Sequence, residues 1–309
     1  MTLNKHRFFL LGFSLFLLFF CLTTYSQDEI ISVRMLTYNI RHGAGMDDVI
    51  DLDRQAAAIQ KANAEVIGLQ EVDSCVKRSG YIPEAAVLAE KLGMYSVFGG
   101  AIPLTGGKYG VAILSKEPPL AVHHMPLPGT ELRTLLVCEF ENYVFATTHL
   151  DLNDSCRFAS LPIIIEEAAS WGDKPFFICG DWNDQPSSTL IKTMKDEGFV
   201  MLSYPTTPNS SYYTFPASSP NKIIDYIASY GKVVKSVRRR QVLNEPEASD
   251  HRPVLVEVRL KSYSTGIESA WEDNEQEEYF DLTGKKMPEG KLPKGIYVQK
   301  NKRRTVVVK

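Results

Sequence analysis

The sequence predicts an α/β protein in which two mixed β-sheets pack face to face with helices outside, followed by a small β module. Three observations carry this expectation. Strand-like and helix-like segments alternate over residues 33–260. Several strand-like runs follow one another with no helix between them, which suits antiparallel or mixed sheets and not a purely parallel one. Near Lys261 the composition then changes to small and polar residues, next to an acidic stretch, and finally to short strand-like runs.

The elements read as follows. Residues 33–40 form a strand run, and 53–63 have helical spacing with Asp51 or Asp53 available as a cap. Residues 66–72 are a short apolar strand. Residues 83–93 read as a helix with Pro83 at its start and Gly93 at its end. Strand-like runs follow at 110–115, 132–140 and 144–150, then a helix at 157–171 and a buried strand at 176–179. A capped helix at 188–197 stops at Gly198, and 223–228, 233–242 and 254–260 read as the last strands. No internal repeat is visible. Beyond them, 262–278 reads as an acidic linker and 279–309 as short strands joined by Gly- and Lys-rich turns.

With 309 residues, 44% of them apolar and 23% charged, the chain has ample material for a globular core. Lys5, His6 and Arg7 precede an apolar run from Phe8 to Leu22, and Thr24 and Ser26 stand at −3 and −1 of a cut before Gln27. That is the pattern of a secretory signal peptide over 1–26. The apolar run is shorter than the ~20 residues that span a bilayer. Lipidation at Cys21 is the alternative, although Leu18, Phe19 and Phe20 are not the small residues such a site prefers. The expectation is therefore export through the Sec pathway to the periplasm, outer surface or medium. Removing Lys5 and Arg7 with no acid lowers the formal net charge from −3 to −5. An acidic chain disfavours long nucleic acid as a substrate while leaving a local basic groove open. Of the remaining cysteines, Cys138 and Cys179 lie in apolar runs and read as buried thiols. Cys75 and Cys156 are a candidate pair whose connectivity sequence does not fix.

Polar groups recur at the ends of apolar strands. Asn39 follows Leu36-Thr37-Tyr38, Glu71 follows 66–70, and His149 follows 145–148. Asp181 and Asn183 follow 176–180, while Asp250 and His251 precede Pro253-Val254-Leu255. Taken singly, a carboxylate after a strand is usually a turn former. Asp225 says more, because a carboxylate among isoleucines needs a partner to offset desolvation, and a histidine fits. Together they are hard oxygen ligands with no cysteine or paired-histidine site, which favours Mg2+, with Mn2+ or Ca2+ as alternatives, over zinc. A histidine paired with a carboxylate orients water or stabilises developing charge. Neither a G-x-S-x-G elbow nor an H-E-x-x-H motif is present.

These segments resemble the endonuclease/exonuclease/phosphatase superfamily, the deoxyribonuclease I-like fold. The matching pieces are Thr37-Tyr38-Asn39-Ile40-Arg41, Leu69-Gln70-Glu71-Val72-Asp73, 109–115, Thr148-His149-Leu150-Asp151, Gly180-Asp181-Trp182-Asn183, Ile224-Asp225-Tyr226-Ile227 and Ser249-Asp250-His251-Arg252-Pro253, in the family's order. The resemblance covers roughly 32–260 and implies a four-layer α/β sandwich with the site at one end of the paired sheets. It implies Glu71 as principal metal ligand with Asn39 and Asp250 nearby. It also implies Asp181 and Asn183 around water and phosphate, Asp225 orienting His251, and His149 donating to a phosphate oxygen or assisting the leaving group. Whether Asp181 or His251 takes the proton stays open. Two departures stand out: Arg157 is followed by Leu161 where relatives have glutamine, and Arg41 stands where some nucleases have aspartate.

Arg157, Lys222 and Tyr213 are candidate substrate contacts. Tyr213 belongs to an aromatic loop, 204–220, whose rings suit stacking on substrate or contact with a lipid surface. Arg238-Arg239-Arg240 reads as an exposed strand or turn. The tail, with Tyr279-Phe280-Asp281-Leu282-Thr283-Gly284 and Lys294-Gly295-Ile296-Tyr297-Val298, resembles the sorting modules of Bacteroidetes-type secretion. The expected function is a secreted Mg2+-dependent phosphoesterase acting on a small-molecule, nucleotide or lipid head-group ester. A secreted nuclease is the rival within enzymes, and a catalytically silent phosphoester-binding protein is the alternative of another class. No protein partner is inferable.

Overall fold

The computed structural model describes residues 30–263, 279–281, 287, 295–299 and 304–308. The expected signal peptide at 1–26 lies outside the described residues, as does all but the start of the expected linker at 262–278. The chain divides into two compact units, Met1–Tyr263 and Ser264–Lys309.

The first unit runs β1 (Ile30–Asn39), α1 (Leu52–Gln60), β2 (Val66–Ser74), α2 (Glu84–Leu92), β3 (Tyr95–Leu104), β4 (Gly107–Ser115), β5 (Ala121–Leu127), β6 (Arg133–Glu139), β7 (Val144–His149) and α3 (Asp154–Ser170). It continues through β8 (Phe176–Asp181), α4 (Thr189–Asp196), β9 (Phe199–Met201), β10 (Asp225–Tyr230), β11 (Val234–Val242) and β12 (Val254–Lys261). In the second unit β13 (Tyr279–Asp281), β14 (Gly295–Gln299) and β15 (Arg304–Val308) form an antiparallel sheet.

Two six-stranded sheets make the first unit, ordered β11-β12-β1-β2-β4-β3 and β5-β6-β7-β8-β10-β9. Each has one parallel pair at its centre, β1 with β2 and β7 with β8, and antiparallel neighbours outside it. A parallel pair needs a crossover, and α1 and α3 supply it. The strand period of two then sorts side chains into layers. Met35, Val66, Ile113 and Val256 face Leu136, Phe145, Phe177 and Ile227 between the sheets. Leu36, Tyr38, Ile67 and Leu69 turn outward onto Ile59 and Leu88 of α1 and α2. Leu135, Ala146, Ile178 and Tyr226 turn outward onto Ile164 and Ile191 of α3 and α4. The result is the expected four-layer α/β sandwich.

The central strands carried the sequence signal because both their faces are buried and read as unbroken apolar runs. β3, β5 and β9, which the sequence pattern does not mark, are all sheet edges. β3 holds Gly99, Gly100 and Pro103, and β5 holds His123, His124 and Pro126. These residues weaken the strand pattern and blunt an exposed edge. α3 begins three residues before the expected start, because Asn153 caps it by accepting from the N–H groups of Ser155 and Cys156. Cys138 and Cys179 are buried free thiols, and Cys75 and Cys156 are free rather than paired.

Toward the C-terminal ends of the parallel pairs the layer between the sheets turns polar. Thr37 Oγ1 donates to Gln70 Oε1 at 3.2 Å, and Gln70 Nε2 donates across the gap to Thr147 Oγ1 at 2.9 Å. The sheets approach so closely here that a Cβ at Gly68 would collide with Cys179 Sγ.

Behind β2, the fully buried Glu84 accepts the Asp73 N–H through Oε2 at 2.8 Å while its Oε1 has no partner. Burial pushes its carboxyl from 4.5 to about 8. The folded protein thus holds this proton where the unfolded chain has lost it. The stability it contributes is complete below pH 4.5 and declines as pH rises from there to about 8. Glu84→Gln should flatten that decline and raise Tm relative to wild type at about pH 8, in thermal melts across this range. An unaltered slope would show that Glu84 is not its source.

Candidate active site

The cleft opens at the ends of the two parallel pairs, where Asn39 lies opposite Gln70 and His149 opposite Asp181. A β-bulge, seen as a register shift between Leu69 and Val72, adds a residue to β2 and leaves Glu71 in the left-handed region at φ 57. A non-glycine residue there costs roughly 1–2 kcal/mol. In return the bulge turns Glu71 into the cleft wall, out of the strand's alternation. Asn183 also has positive φ, 52, in a tight turn after β8 that its own N–H closes on Asp181 Oδ1 at 2.9 Å. Ser249 Oγ donates to the Asn39 carbonyl at 2.7 Å and pins the 249–251 loop to the end of β1.

The open cleft has a volume of about 510 Å³. Asn39 is fully buried at its base, and its Nδ2 donates to Glu71 Oε1 at 3.1 Å and to Asp181 Oδ2 at 3.2 Å. Its Oδ1 accepts the Arg41 N–H at 3.1 Å. His251 Nδ1 lies 3.1 and 3.0 Å from the two oxygens of Asp225, and its Nε2 lies 3.5 Å from Asp181 Oδ2. The Phe215 ring covers this imidazole at 4.8 Å between centroids. Across the cleft, His149 Nε2 is 3.6 Å from the same Asp181 oxygen.

Burial works against the His251 imidazolium, but Asp225 and Asp181 outweigh it and push the group up to about 10. Burial pushes Asp181 up to about 7, with His251 opposing and Asp225 reinforcing. Burial also raises Glu71; its hydrogen bond from Asn39 opposes this and the Asp250 charge adds to it. Glu71 and Asp250 are thus like charges on one wall, and among the described residues neither forms an ion pair with a cationic side chain. That is a donor set suited to a divalent cation. Among the described residues Asp181, Asp225 and His251 are the acid–histidine group whose ligand atoms all lie within 4.8 Å of one another. His251 sits between those two carboxylates, with Nδ1 3.0 Å from Asp225 and Nε2 3.5 Å from Asp181.

The structure brings together Asn39, Glu71, His149, Asp181, Asn183, Asp225, Asp250 and His251. Lys222 lines the cleft, with Nζ 6.0 Å from the centre of the Phe215 ring. Tyr213 does not line the cleft: it packs against the outer core of the second sheet, and Phe215 takes the place on the wall. The sequence reading passed over Tyr109, Glu131 and Arg133, which also line it. An arginine opening the apolar run Thr134-Leu135-Leu136-Val137 was the available signal for Arg133.

A family model described as the Endonuclease/Exonuclease/phosphatase family matches residues 36–251. The chain belongs to that family, whose members are hydrolases acting on phosphoesters. No curated protein matches it by sequence. Among solved structures it is similar to an endonuclease/exonuclease/phosphatase from Bacteroides vulgatus, with 22% identity over 75% of this chain and 100% of that one, TM-score 0.61. It is also similar to a mannosyl-6-phosphatase of Bacteroides thetaiotaomicron VPI-5482, with 18% identity over 73% and 99%, TM-score 0.59. The human Nocturnin catalytic domain with bound sulfate shares 18% identity over 75% and 96%, TM-score 0.56. At these identities the likeness is one of fold.

The expectation that Arg157 meets substrate is corrected. Arg157 does not line the cleft: its buried guanidinium donates to the carbonyls of Asp151 at 2.9 Å and Leu152 at 2.7 Å and to the Asp154 carboxylate, and it stands 3.5 Å from Asp184 on the cleft wall. It braces the loop after β7 from within α3. Arg157→Ala should destabilise the fold by about 1–3 kcal/mol in denaturant titrations, because buried carbonyls lose their donors, while KM stays unchanged. A raised KM at wild-type stability would return Arg157 to the substrate.

Proposed function

We propose that this chain is an exported, Mg2+-dependent phosphoesterase that hydrolyses a small-molecule, nucleotide or lipid head-group phosphate ester by water attack. The observation that carries this reading is the convergence of Glu71, Asn39, Asp181, Asn183, Asp250, His149 and His251 on one cleft of about 510 Å³. Family membership supports phosphoester hydrolysis, and the signal-peptide pattern over 1–26 supports export of a catalytic domain spanning 27–261.

Glu71 and Asp250, with Asn39 beside them, would hold a divalent cation, which would supply positive charge for the phosphoryl oxygens. The remaining roles belong to the chain. Asp181, raised to about 7, is a carboxylate that can take a proton from attacking water near neutral pH. Asn39 and the Asn183 N–H hold its two oxygens in place. His251, kept protonated by Asp225, presents Nε2 to charge developing on phosphorus-bound oxygen. His149 offers a donor from the opposite wall.

Water adds to phosphorus and its proton passes to Asp181; the ester P–O bond breaks, the departing oxygen takes a proton from solvent to leave as the alcohol, and Asp181 returns its proton to solvent. The walls carry Glu131, Asp184 and Asp250 against Arg133 and Lys222, a balance that repels a polyanion and favours a compact ester. Contact with a lipid surface through the 204–220 loop belongs to the lipid head-group version of this proposal.

Hydrolysis of p-nitrophenyl phosphate, sugar phosphates and sphingomyelin, compared with nicking of supercoiled plasmid, tests the substrate class with Mg2+ present. Plasmid nicking with no turnover of the small esters or lipid would replace this reading with the nuclease one. Glu71→Gln should raise the Mg2+ concentration required for half-maximal rate. His251→Ala should lower kcat by about 10²–10⁴-fold with an unchanged circular dichroism spectrum. Wild-type kcat in His251→Ala would remove that histidine from the chemistry.

A further inference from the structure

His149 is held between two hydrogen-bond donors. Arg133 Nη1, from the neighbouring strand β6, lies 3.2 Å from its Nδ1, and Asn183 Nδ2 lies 3.1 Å from its Nε2. A guanidinium has N–H groups and no acceptor, so the nitrogen facing it has to present a lone pair. The Asn183 amide is fixed by a second bond, from Nδ2 to the Leu150 carbonyl at 2.9 Å. A neutral imidazole has one lone-pair nitrogen and one N–H, so it cannot accept from both neighbours. The contact with the charged donor is the stronger of the two and decides the outcome.

Arg133 is itself anchored. It is buried, its Nη2 donates to Glu131 Oε2 at 3.2 Å, and its Nε stands 3.7 Å from Asp151 Oδ2. The Arg133 contact thus assigns the His149 proton to Nε2, at the cleft wall, and the 3.1 Å approach of Asn183 Nδ2 to that nitrogen is then a contact of two donors and not a hydrogen bond. The carboxylate nearest to His149 Nε2 is Asp181, at 3.6 Å, beyond hydrogen-bond length. An N–H without a protein acceptor in a phosphate-sized cleft is a donor reserved for an oxygen of the ligand.

We propose that Arg133 is a positioning residue that fixes His149 as its Nε2–H tautomer, so that His149 serves the substrate as an uncharged hydrogen-bond donor and not as a proton-releasing acid. The charged groups around the ring are Arg133 from β6, Asp181 from β8 and, farther off, His251. Burial first, then Arg133 and His251, hold the imidazole well below its usual 6.5. The identity of the oxygen it meets rests on the phosphoester reading, whereas the tautomer does not.

The test is long-range 1H–15N correlation NMR on the full chain labelled at histidine, with the His149 signals assigned by their loss in His149→Gln. From about pH 5.5 to 8.5, where an ordinary histidine titrates, wild-type His149 should keep the shifts of a neutral Nε2–H ring. Arg133→Met should bring back titration or a mixed tautomer. A wild-type His149 that titrates in this window, or that carries its proton on Nδ1, overturns the proposal whether or not Arg133→Met folds.

A kinetic arm reads the donor role. Because the glutamine amide nitrogen can stand in for Nε2–H, His149→Gln should keep at least about tenfold more kcat than His149→Ala, with the wild-type pH profile. Equal losses in the two variants would overturn the donor half. If no phosphoester is turned over by wild type, the functional reading fails while the NMR result still decides the tautomer.

Discussion

One side-chain amide ties the two sheets together where the chemistry happens. Asn39 is the last residue of β1 in the first sheet, and its Nδ2 reaches Glu71 on the same sheet and Asp181 on the other. The position is available because β1 and β2 run parallel in one sheet and β7 and β8 in the other, so that polar strand ends collect at one side of the sandwich. Below it, Thr37, Gln70 and Thr147 hydrogen-bond across the same gap, and deeper still Met35, Val66 and Phe145 fill it with apolar volume. The layer between the sheets therefore grades from packing to chemistry within a few residues. The buried polar groups near the cleft are tolerated because they satisfy one another.

The same constraint explains the placing of charge. His251 and the carboxylates of Asp225 and Asp181 are all nearly inaccessible to water. Isolated, each would lose its charge on burial. As a set, two acids around one histidine stabilise an imidazolium and leave Asp181 poised near neutrality. Glu71 and Asp250 form no ion pair with a cationic side chain among the described residues, and the charges of His251 and Arg133 reach Glu71 only through space. The left-handed backbone at Glu71 and Asn183 is strain accepted to aim these groups, and it sits where such strain does functional service.

How much of this was legible in the sequence depended on whether a feature is local. The strand-end motifs, from Thr37-Tyr38-Asn39 to Ser249-Asp250-His251, are short contiguous strings, and the structure gathers Asn39, Glu71, His149, Asp181, Asn183, Asp225, Asp250 and His251 from them. Central strands were visible because burial on both faces makes them continuously apolar. Edge strands β3 and β5 were not, since they carry Gly, His and Pro, and β9 is only three residues long, whereas the edge strand β11 was read. The bulge at Glu71 leaves no mark in the sequence, because it is a change of register against β4 and not of composition. Arg133 was passed over because its meaning lies in a cross-strand neighbour, His149, sixteen residues away. Arg157 and Tyr213 were misplaced for a related reason. Residue type marks them as able to hold a phosphate or stack on a ring, while their orientation, toward loop carbonyls and toward the outer core, is set by packing that type alone does not encode.

The two cleft histidines show how one scaffold separates roles that identical side chains would otherwise share. Both end up beside Asp181, at 3.5 and 3.6 Å, and both are buried. What differs is the atom behind each ring. Behind His251 stands a carboxylate on Nδ1, which demands a proton there and favours a second on Nε2. Behind His149 stands a guanidinium on Nδ1, which demands a lone pair and opposes any second proton. Burial alone would push both rings toward the neutral form. The sign of the group at Nδ1 decides which of them escapes that pressure, so charge enters the cleft from the Asp225 side and a neutral donor from the Arg133 side. One flank of the cleft thus presents the protonated imidazole of His251 with its carboxylate partner and the other an uncharged hydrogen bond, with Asp181 between the two.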